Sequence, residues 1–168
     1  MRTIFLILII FFIFAQKHAY TEPKIIKKIS EIENFTFDFE QLINDKKETG
    51  NCIISFNNKM MCKYDETGKL IVSNGKTLLI KNKSSNFANT YKTENTYFKY
   101  FLNKEFLISK IVGNVVEKEQ NFLLLINDQS NQLSIFFDKK NYLIKGWENI
   151  DLYGNRVRIN IIIKNINQ

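Results

Sequence analysis

The segment Leu70-Ile-Val-Ser-Asn-Gly-Lys-Thr-Leu-Leu-Ile80 carries the strongest fold signal in the chain. Its Asn74-Gly75 pair is typical of a two-residue hairpin turn, because both central residues of such a turn need positive φ. A turn at these two residues predicts that Ile71 faces Leu78 on the neighbouring strand. Side chains alternate between the two faces of a sheet. One face of the hairpin therefore carries Leu70, Val72 and Leu79, and the other carries Ile71, Leu78 and Ile80.

Both faces of this hairpin are apolar, whereas a surface hairpin is ordinarily apolar on one face only. We therefore expect other elements to cover both faces. The apolar residues of Asn95–Lys110 recur at spacings of one, three and four, which predicts two short helices or one bent helix. Pro23–Glu33 has isoleucines at helical spacing and predicts a short amphipathic helix. We expect Asn95–Lys110 to close one face and Pro23–Glu33 to flank the other.

Most of the remaining chain has the period of two that is typical of strands. Phe35, Phe37 and Phe39 alternate with polar residues, and the segment from Val157 to Ile163 alternates most clearly. We expect roughly nine to eleven strands in one mainly β domain. A curved antiparallel sheet of this size closes or nearly closes on itself. The many aromatic residues then either fill a core or line a cavity for an apolar ligand.

Composition and motifs exclude most catalytic chemistry. The 168-residue chain has a net charge of +7, which is spread along the sequence and does not predict a nucleic-acid surface. Its one histidine is His18, so a histidine base or a zinc site is not expected. Asp38 and Glu40 share one strand face; a glycosidase pair is conceivable there, but a solvated face is the favoured interpretation. We expect no catalytic residue, no metal, no cofactor and no enzymatic activity.

The first 19 residues resemble a secretory signal peptide. Arg2 provides the positive charge, and Ile4–Ala15 is an apolar run of twelve residues. This run is too short to span a bilayer, so we expect cleavage near residue 19, an uncleaved anchor being the alternative. No cysteine follows the run, so we expect an exported protein without a lipid anchor and a mature domain over residues 20–168.

The two cysteines, Cys52 and Cys62, flank a plausible turn at Asn57-Asn58. A three-residue loop centred on Asn57 would place them opposite each other on paired strands. In an oxidising compartment such a pair can form a disulfide. The alternative is that both are small residues of the core.

Several segments form a recognisable series along the chain. They are Phe35-Thr-Phe-Asp-Phe-Glu-Gln41, Tyr64-Asp65, the Leu70–Ile80 hairpin, Thr96-Tyr-Phe-Lys-Tyr-Phe-Leu102, Leu143-Ile-Lys-Gly-Trp147 and Asp151-Leu-Tyr-Gly154. Each motif is weakly specific alone, but their order and spacing resemble the LolA family of periplasmic outer-membrane lipoprotein carrier proteins. The resemblance extends over most of the chain after the signal peptide.

This resemblance implies an unclosed antiparallel β-barrel whose opening is covered by lid helices. It implies a periplasmic carrier, a chaperone that binds the acyl chains of lipoproteins in a hydrophobic cavity. The partners would be acylated lipoproteins, an inner-membrane exporter complex and an outer-membrane acceptor. We expect a monomer and no nucleic acid. The alternative is a periplasmic module on the same fold that binds another lipid or senses envelope stress.

The chain departs from the family where an Arg-Pro pair is usual, since Phe56-Asn57 or Asn57-Asn58 stands there. That arginine is associated with holding the lid closed. We expect the lipid-binding cavity and lid to be formed by Phe37, Phe39, Ile54, Phe56, Leu79, Phe98, Phe101, Leu102, Leu124, Ile135 and Trp147.

Overall fold

A computed structural model describes residues 21–44, 46–84, 87–128, 131–151 and 154–168. The predicted signal peptide, residues 1–19, lies outside the described residues, as do residues 152–153 of the Asp151–Gly154 motif. Among the described helices, none has both the length and the apolar character needed to cross a membrane.

One antiparallel sheet contains all the described strands. They are β1 (Asn34–Ile43), β2 (Lys46–Ser55), β3 (Lys59–Tyr64), β4 (Leu70–Ser73), β5 (Thr77–Lys81), β6 (Ala88–Lys92), β7 (Val115–Glu117), β8 (Phe122–Asp128), β9 (Asn131–Phe137), β10 (Ile144–Ile150) and β11 (Arg156–Ile166). Their order is β6-β5-β4-β3-β2-β1-β11-β10-β9-β8-β7, so β6 and β7 form the two edges. The 11 strands do not close into a barrel. The predicted mainly β, unclosed fold is confirmed.

Three α-helices accompany the sheet. The first, α1, occupies residues 21–30, within the predicted Pro23–Glu33 helix and two residues before it. The predicted helical segment forms two short helices, α2 (Phe98–Leu102) and α3 (Lys104–Ile111), which follow a 3₁₀ turn at Thr93–Asn95. The strand predicted from Ile111 is shorter than expected, because Ile111 still belongs to α3. The separation into two helices occurs at Asn103, whose backbone is extended.

The β4–β5 hairpin differs from its predicted register by two residues. Ser73 pairs with Leu78, and Asn74 N–H donates to the carbonyl of Thr77 over 3.2 Å. The turn is therefore at Gly75-Lys76, and of the predicted pair only Gly75 has positive φ. The Asn74 side chain accepts from the Lys76 and Thr77 amides at 3.0 and 2.9 Å, which stabilises this later turn. Because side chains alternate with period two, a shift of two leaves both predicted faces unchanged.

The two faces of the sheet have different environments. On β1, Phe35, Phe37 and Phe39 are buried, whereas Asp38 between them is exposed. The same alternation follows β3, where Met60, Cys62 and Tyr64 are buried and the residues between them are exposed. The buried face, called here the inner face, forms one apolar cluster that includes Ile25 and Ile29 of α1.

All three helices lie on the inner side of the sheet. The Lys104 ammonium at the start of α3 donates to the Ser30 carbonyl at the end of α1, over 3.2 Å. Glu22 of α1 accepts from the amides of Gly113 and Val115 at 2.9 and 3.2 Å. The expectation that the first helix would flank the outer face of the hairpin is therefore wrong. The helix follows α3 because its isoleucines complete the same core.

Candidate functional site

The space between the inner face and the α2–α3 pair, called here the lid, is the candidate site. An aromatic column crosses it from sheet to lid. The Trp147 ring on β10 meets Phe37 of β1 edge-on at 6.2 Å and lies 4.6 Å from the Phe101 ring of α2. Phe101 in turn contacts Tyr97 at 6.5 Å, at the start of the lid. Rings at these separations attract one another, so the column holds the lid against the sheet.

The β10 strand directs Trp147 inward through an irregularity. Its register shifts between Ile144 and Gly146, so Ile144 and Trp147 both point inward although they are three residues apart. A Cβ on Gly146 would lie 2.2 Å from the Ile159 carbonyl oxygen of β11. Glycine is thus required where the two strands approach most closely, and this bulge positions the indole beneath the lid.

The lid is attached to the sheet at its start and at its middle. Thr93 is buried, its amide donates to the Lys76 carbonyl at 2.9 Å, and its hydroxyl lies 3.2 Å from the Ser73 hydroxyl. Asn103, between α2 and α3, forms a backbone bridge with Asn57 in the β2–β3 loop. The Asn103 side chain also accepts from the Phe106 amide at 2.8 Å and so caps α3.

A polar network occupies one end of the inner face. The buried Tyr64 hydroxyl donates to Gln41 Oε1 at 2.7 Å, and Gln41 Nε2 donates to Glu48 at 3.1 Å. Lys69 pairs with Glu48 at 2.8 Å and lies over the Tyr64 ring. Burial raises the pKa of Tyr64, and the nearby Tyr97 and Glu48 raise it further. Tyr64 is therefore a neutral hydrogen-bond donor at physiological pH.

Two buried polar atoms beneath the lid have no hydrogen-bond partner among the described residues. They are the indole N–H of Trp147 and the side-chain oxygen of Asn149, two residues further along β10. The Tyr97 hydroxyl lies near the indole, and burial raises the pKa of this tyrosine, but no acceptor meets the N–H with hydrogen-bonding geometry. Such groups are costly to bury unpaired, so the interior offers one donor and one acceptor to a ligand.

The structure places ten of the eleven predicted cavity or lid residues in the buried inner cluster. These are Phe37, Phe39, Ile54, Phe56, Phe98, Phe101, Leu102, Leu124, Ile135 and Trp147. Leu79 is on the opposite, outer face, paired with Val72, while its neighbour Leu78 is 2 % exposed on the inner face. Both faces of the hairpin are apolar, so alternation alone did not indicate which one turns inward. Whether any of these residues binds lipid stays a prediction.

The two cysteines are joined by a disulfide on the inner face. Cys52 pairs directly with Cys62, because the loop between β2 and β3 has three residues centred on Asn57. The disulfide therefore links two strands that form part of the wall facing the lid.

Two features of the site were not among the predicted residues. Tyr100 is as deeply buried as Phe101, and Tyr97 is in contact with the column. Both tyrosines stand in the predicted helical segment, and their aromatic character is the signal that could have found them. On the outer face, Asp38 forms an ion pair with Lys164 at 2.8 Å and Glu40 forms one with Lys47. Within the described residues, no three potential ligating side chains cluster to hold a metal.

Comparison with solved structures gives three similar folds at low sequence identity. A LolA superfamily protein from Nitrosomonas europaea is 10% identical, with a TM-score of 0.44 over 88% of this chain and 94% of that one. A domain described as an outer membrane lipoprotein-sorting protein, from Vibrio parahaemolyticus, is 9% identical, with a TM-score of 0.48 over 83% and 90%. LprF from Mycobacterium bovis is 7% identical, with a TM-score of 0.35 over 83% and 92%.

Comparison with protein families gives a match that covers most of the chain. None of the curated protein sequences is significantly similar to this one. The family model described as "Outer membrane lipoprotein carrier protein LolA" matches residues 30–168, which include all the described strands and the lid. The match agrees with the predicted resemblance and with the unclosed sheet and its helices. This chain belongs to the LolA family of outer membrane lipoprotein carrier proteins.

Proposed function

We propose that this protein is a periplasmic carrier for the acyl chains of lipoproteins. The family consists of periplasmic binding and carrier proteins rather than enzymes. In this proposal, residues 1–19 direct export and are removed, and residues 20–168 act as a monomeric chaperone. The domain receives lipoproteins from an inner-membrane exporter complex and transfers them to an outer-membrane acceptor.

The aromatic column between sheet and lid is the observation that supports this proposal most directly. Phe101 is 2 % exposed and packs on Trp147, so the lid adheres to the sheet through apolar contacts. An acyl chain supplies contacts of the same kind and can replace them without directional bonds. Burial of each methylene contributes about 0.8 kcal/mol, so a long chain contributes on the order of 10 kcal/mol. Displacing the lid offsets part of this gain, which keeps the cargo releasable.

The unpaired polar atoms on β10 also fit an acylated ligand. An acyl chain of a lipoprotein ends in an ester or amide carbonyl, which accepts hydrogen bonds. The Trp147 indole N–H is a buried donor without an acceptor among the described groups. A carbonyl next to this N–H would satisfy it while the chain lies against Phe37 and Phe101.

Trp147 is the one tryptophan of the chain and therefore reports on its own site. Titration with a synthetic diacylated lipopeptide should change its fluorescence in a saturable way, because the chain would separate the indole from Phe101. The same peptide without acyl groups should leave the fluorescence unchanged. An equal response to both peptides would contradict the proposal, and a response to free phospholipid but not to the lipopeptide would favour the other-lipid alternative.

Substitution in the lid provides the matched test. Phe101→Glu places a carboxylate against the aromatic column and should weaken lipopeptide binding at least about tenfold, since a charge in an apolar contact is strongly disfavoured. Ser109→Glu adds the same charge to an exposed position of α3 and should leave binding within about twofold. Circular dichroism checks that both variants fold. In cells, depletion of the protein should leave lipoproteins at the inner membrane.

A further inference from the structure

The outer face of β2–β5 carries an unbroken row of apolar side chains, called here the outer stripe. Ile53 pairs with Met61, Met61 with Val72, and Val72 with Leu79, so each lies directly opposite the next on adjacent strands. Ile53 is 37% exposed and Met61 is 52% exposed, and the other two are half-buried. Single exposed apolar residues are common, whereas a contiguous row with a polar border marks an interaction surface.

Lysines border the outer stripe on both sides. Lys59 and Lys63 flank Met61 on β3, and Lys81 follows Leu79 two residues along β5. All three are exposed, and none has an ion pair or hydrogen bond through its ammonium among the described residues. Lys92 on β6 adds a fourth exposed lysine, which lies 3.7 Å from Glu94.

Acidic residues are absent from this part of the described outer face. The outward positions of β3 to β6 hold no aspartate or glutamate. Asp65 and Glu66 lie beyond the end of β3, and Asp65 is engaged with Thr49 at 2.8 Å. The other half of the face differs, because Asp38 and Glu40 on β1 are both ion-paired with lysines. The outer stripe therefore combines apolar contact with uncompensated positive charge.

We propose that the outer stripe docks the protein on a membrane surface rich in anionic lipid headgroups. Lysines border apolar side chains at membrane interfaces because their stems lie along the apolar region while their ammonium groups reach the headgroups. Each basic residue near such a surface strengthens binding about fivefold. The stripe residues reach the acyl boundary while the three unpaired lysines meet phosphate groups. The negative charge of the surface supplies the partner that the described protein groups lack.

Other occupants fit the outer stripe less well. A second copy would bring the lysines of both chains together, which is repulsive. A protein partner is disfavoured because protein interfaces are depleted in lysine, whereas this surface is bordered by it. The lid lies on the opposite face of the same strands, so docking does not require cargo. The inference therefore stands independently of the proposed carrier function.

Co-sedimentation with vesicles tests this proposal, using the protein recovered from the periplasm of an expression host. The protein should bind vesicles of 70% phosphatidylethanolamine and 30% phosphatidylglycerol at least about tenfold more strongly than phosphatidylcholine vesicles. Lys63→Glu/Lys81→Glu should weaken binding to the anionic vesicles at least about tenfold. Met61→Gln should weaken it about threefold, because an apolar contact is lost.

Lys46→Glu/Lys118→Glu is the matched control, since it changes the net charge equally at exposed positions outside the stripe. This control should retain binding within about threefold. Equal loss in both double variants would overturn the proposal, as would equal binding to neutral vesicles. Dimerisation through the stripe, seen by sedimentation equilibrium and abolished by Met61→Gln, would also overturn it. Lipopeptide titration of Trp147 should remain unchanged in Lys63→Glu/Lys81→Glu, which separates this result from the fate of the carrier proposal.

Discussion

The inner and outer faces of strands β2–β5 are both apolar but have different fates. On the inner face, Ile71 and Leu78 are buried in a cluster that the three helices complete. On the outer face, Val72 and Leu79 are only half-buried, because no described element covers them. The comparison teaches that an apolar pattern indicates a demand for contact but not its source. One face finds its contacts within the chain, and we infer that the other finds them at a membrane.

The neighbouring leucines of β5 give the largest expected difference between the faces. Leu78→Ala should lower the free energy of unfolding by about 3 kcal/mol, because it opens a cavity in a closed core. Leu79→Ala removes the same atoms from the half-buried outer face and should cost less than about 1 kcal/mol. Urea unfolding followed by Trp147 fluorescence measures both. Equal losses in the two variants would mean that the outer face is covered after all.

The disulfide gives the next largest effect on the inner face. Cys52 and Cys62 are ten residues apart in sequence, so their link restricts the unfolded chain and should contribute about 2.5 kcal/mol. Cys52→Ser/Cys62→Ser should lose this amount in urea unfolding. A reductant should destabilise the wild type and leave the double variant unchanged. A wild type that is insensitive to reductant would show that the inner wall is not cross-linked.

The cap of the second lid helix gives the smallest effect. Asn103→Ala removes the acceptor for the Phe106 amide and should destabilise α3 by about 1 kcal/mol. Asn103→Ser retains a capping oxygen and should lose only a small part of this. Amide hydrogen exchange in α3 measures the difference, since the lid should open locally before the sheet unfolds. Unchanged exchange in the alanine variant would show that packing rather than capping holds the lid.

The fold was largely predictable from local periodicity. Alternation along β1 and β11 predicted strands, and the sheet confirms them because each strand has a consistently buried face. The register of the β4–β5 hairpin was not predictable from Asn74-Gly75. The Asn74 side chain hydrogen-bonds the turn amides and moves the turn one residue later, and this competition depends on side-chain geometry rather than on residue type.

The candidate site was predictable where a strand is apolar on one face only. Phe37 and Ile54 alternate with polar neighbours, so burial of their face follows from the sequence. Leu79 was assigned to the inner face and lies on the outer one, since its strand is apolar on both faces. The inward position of Trp147 depends on the bulge at Gly146 and on the partner strand that approaches it.

The sequence by itself determined which residues share a face, because side-chain alternation is a local property of extended backbone. It also determined that the hairpin needs apolar contact on both sides. Only the tertiary structure decided which face is inner, since α1 and the lid come from distant parts of the chain and both pack on one side. Packing of distant elements is a non-local choice, and it closes the face of Leu78 while leaving the face of Leu79, with its border of lysines, open.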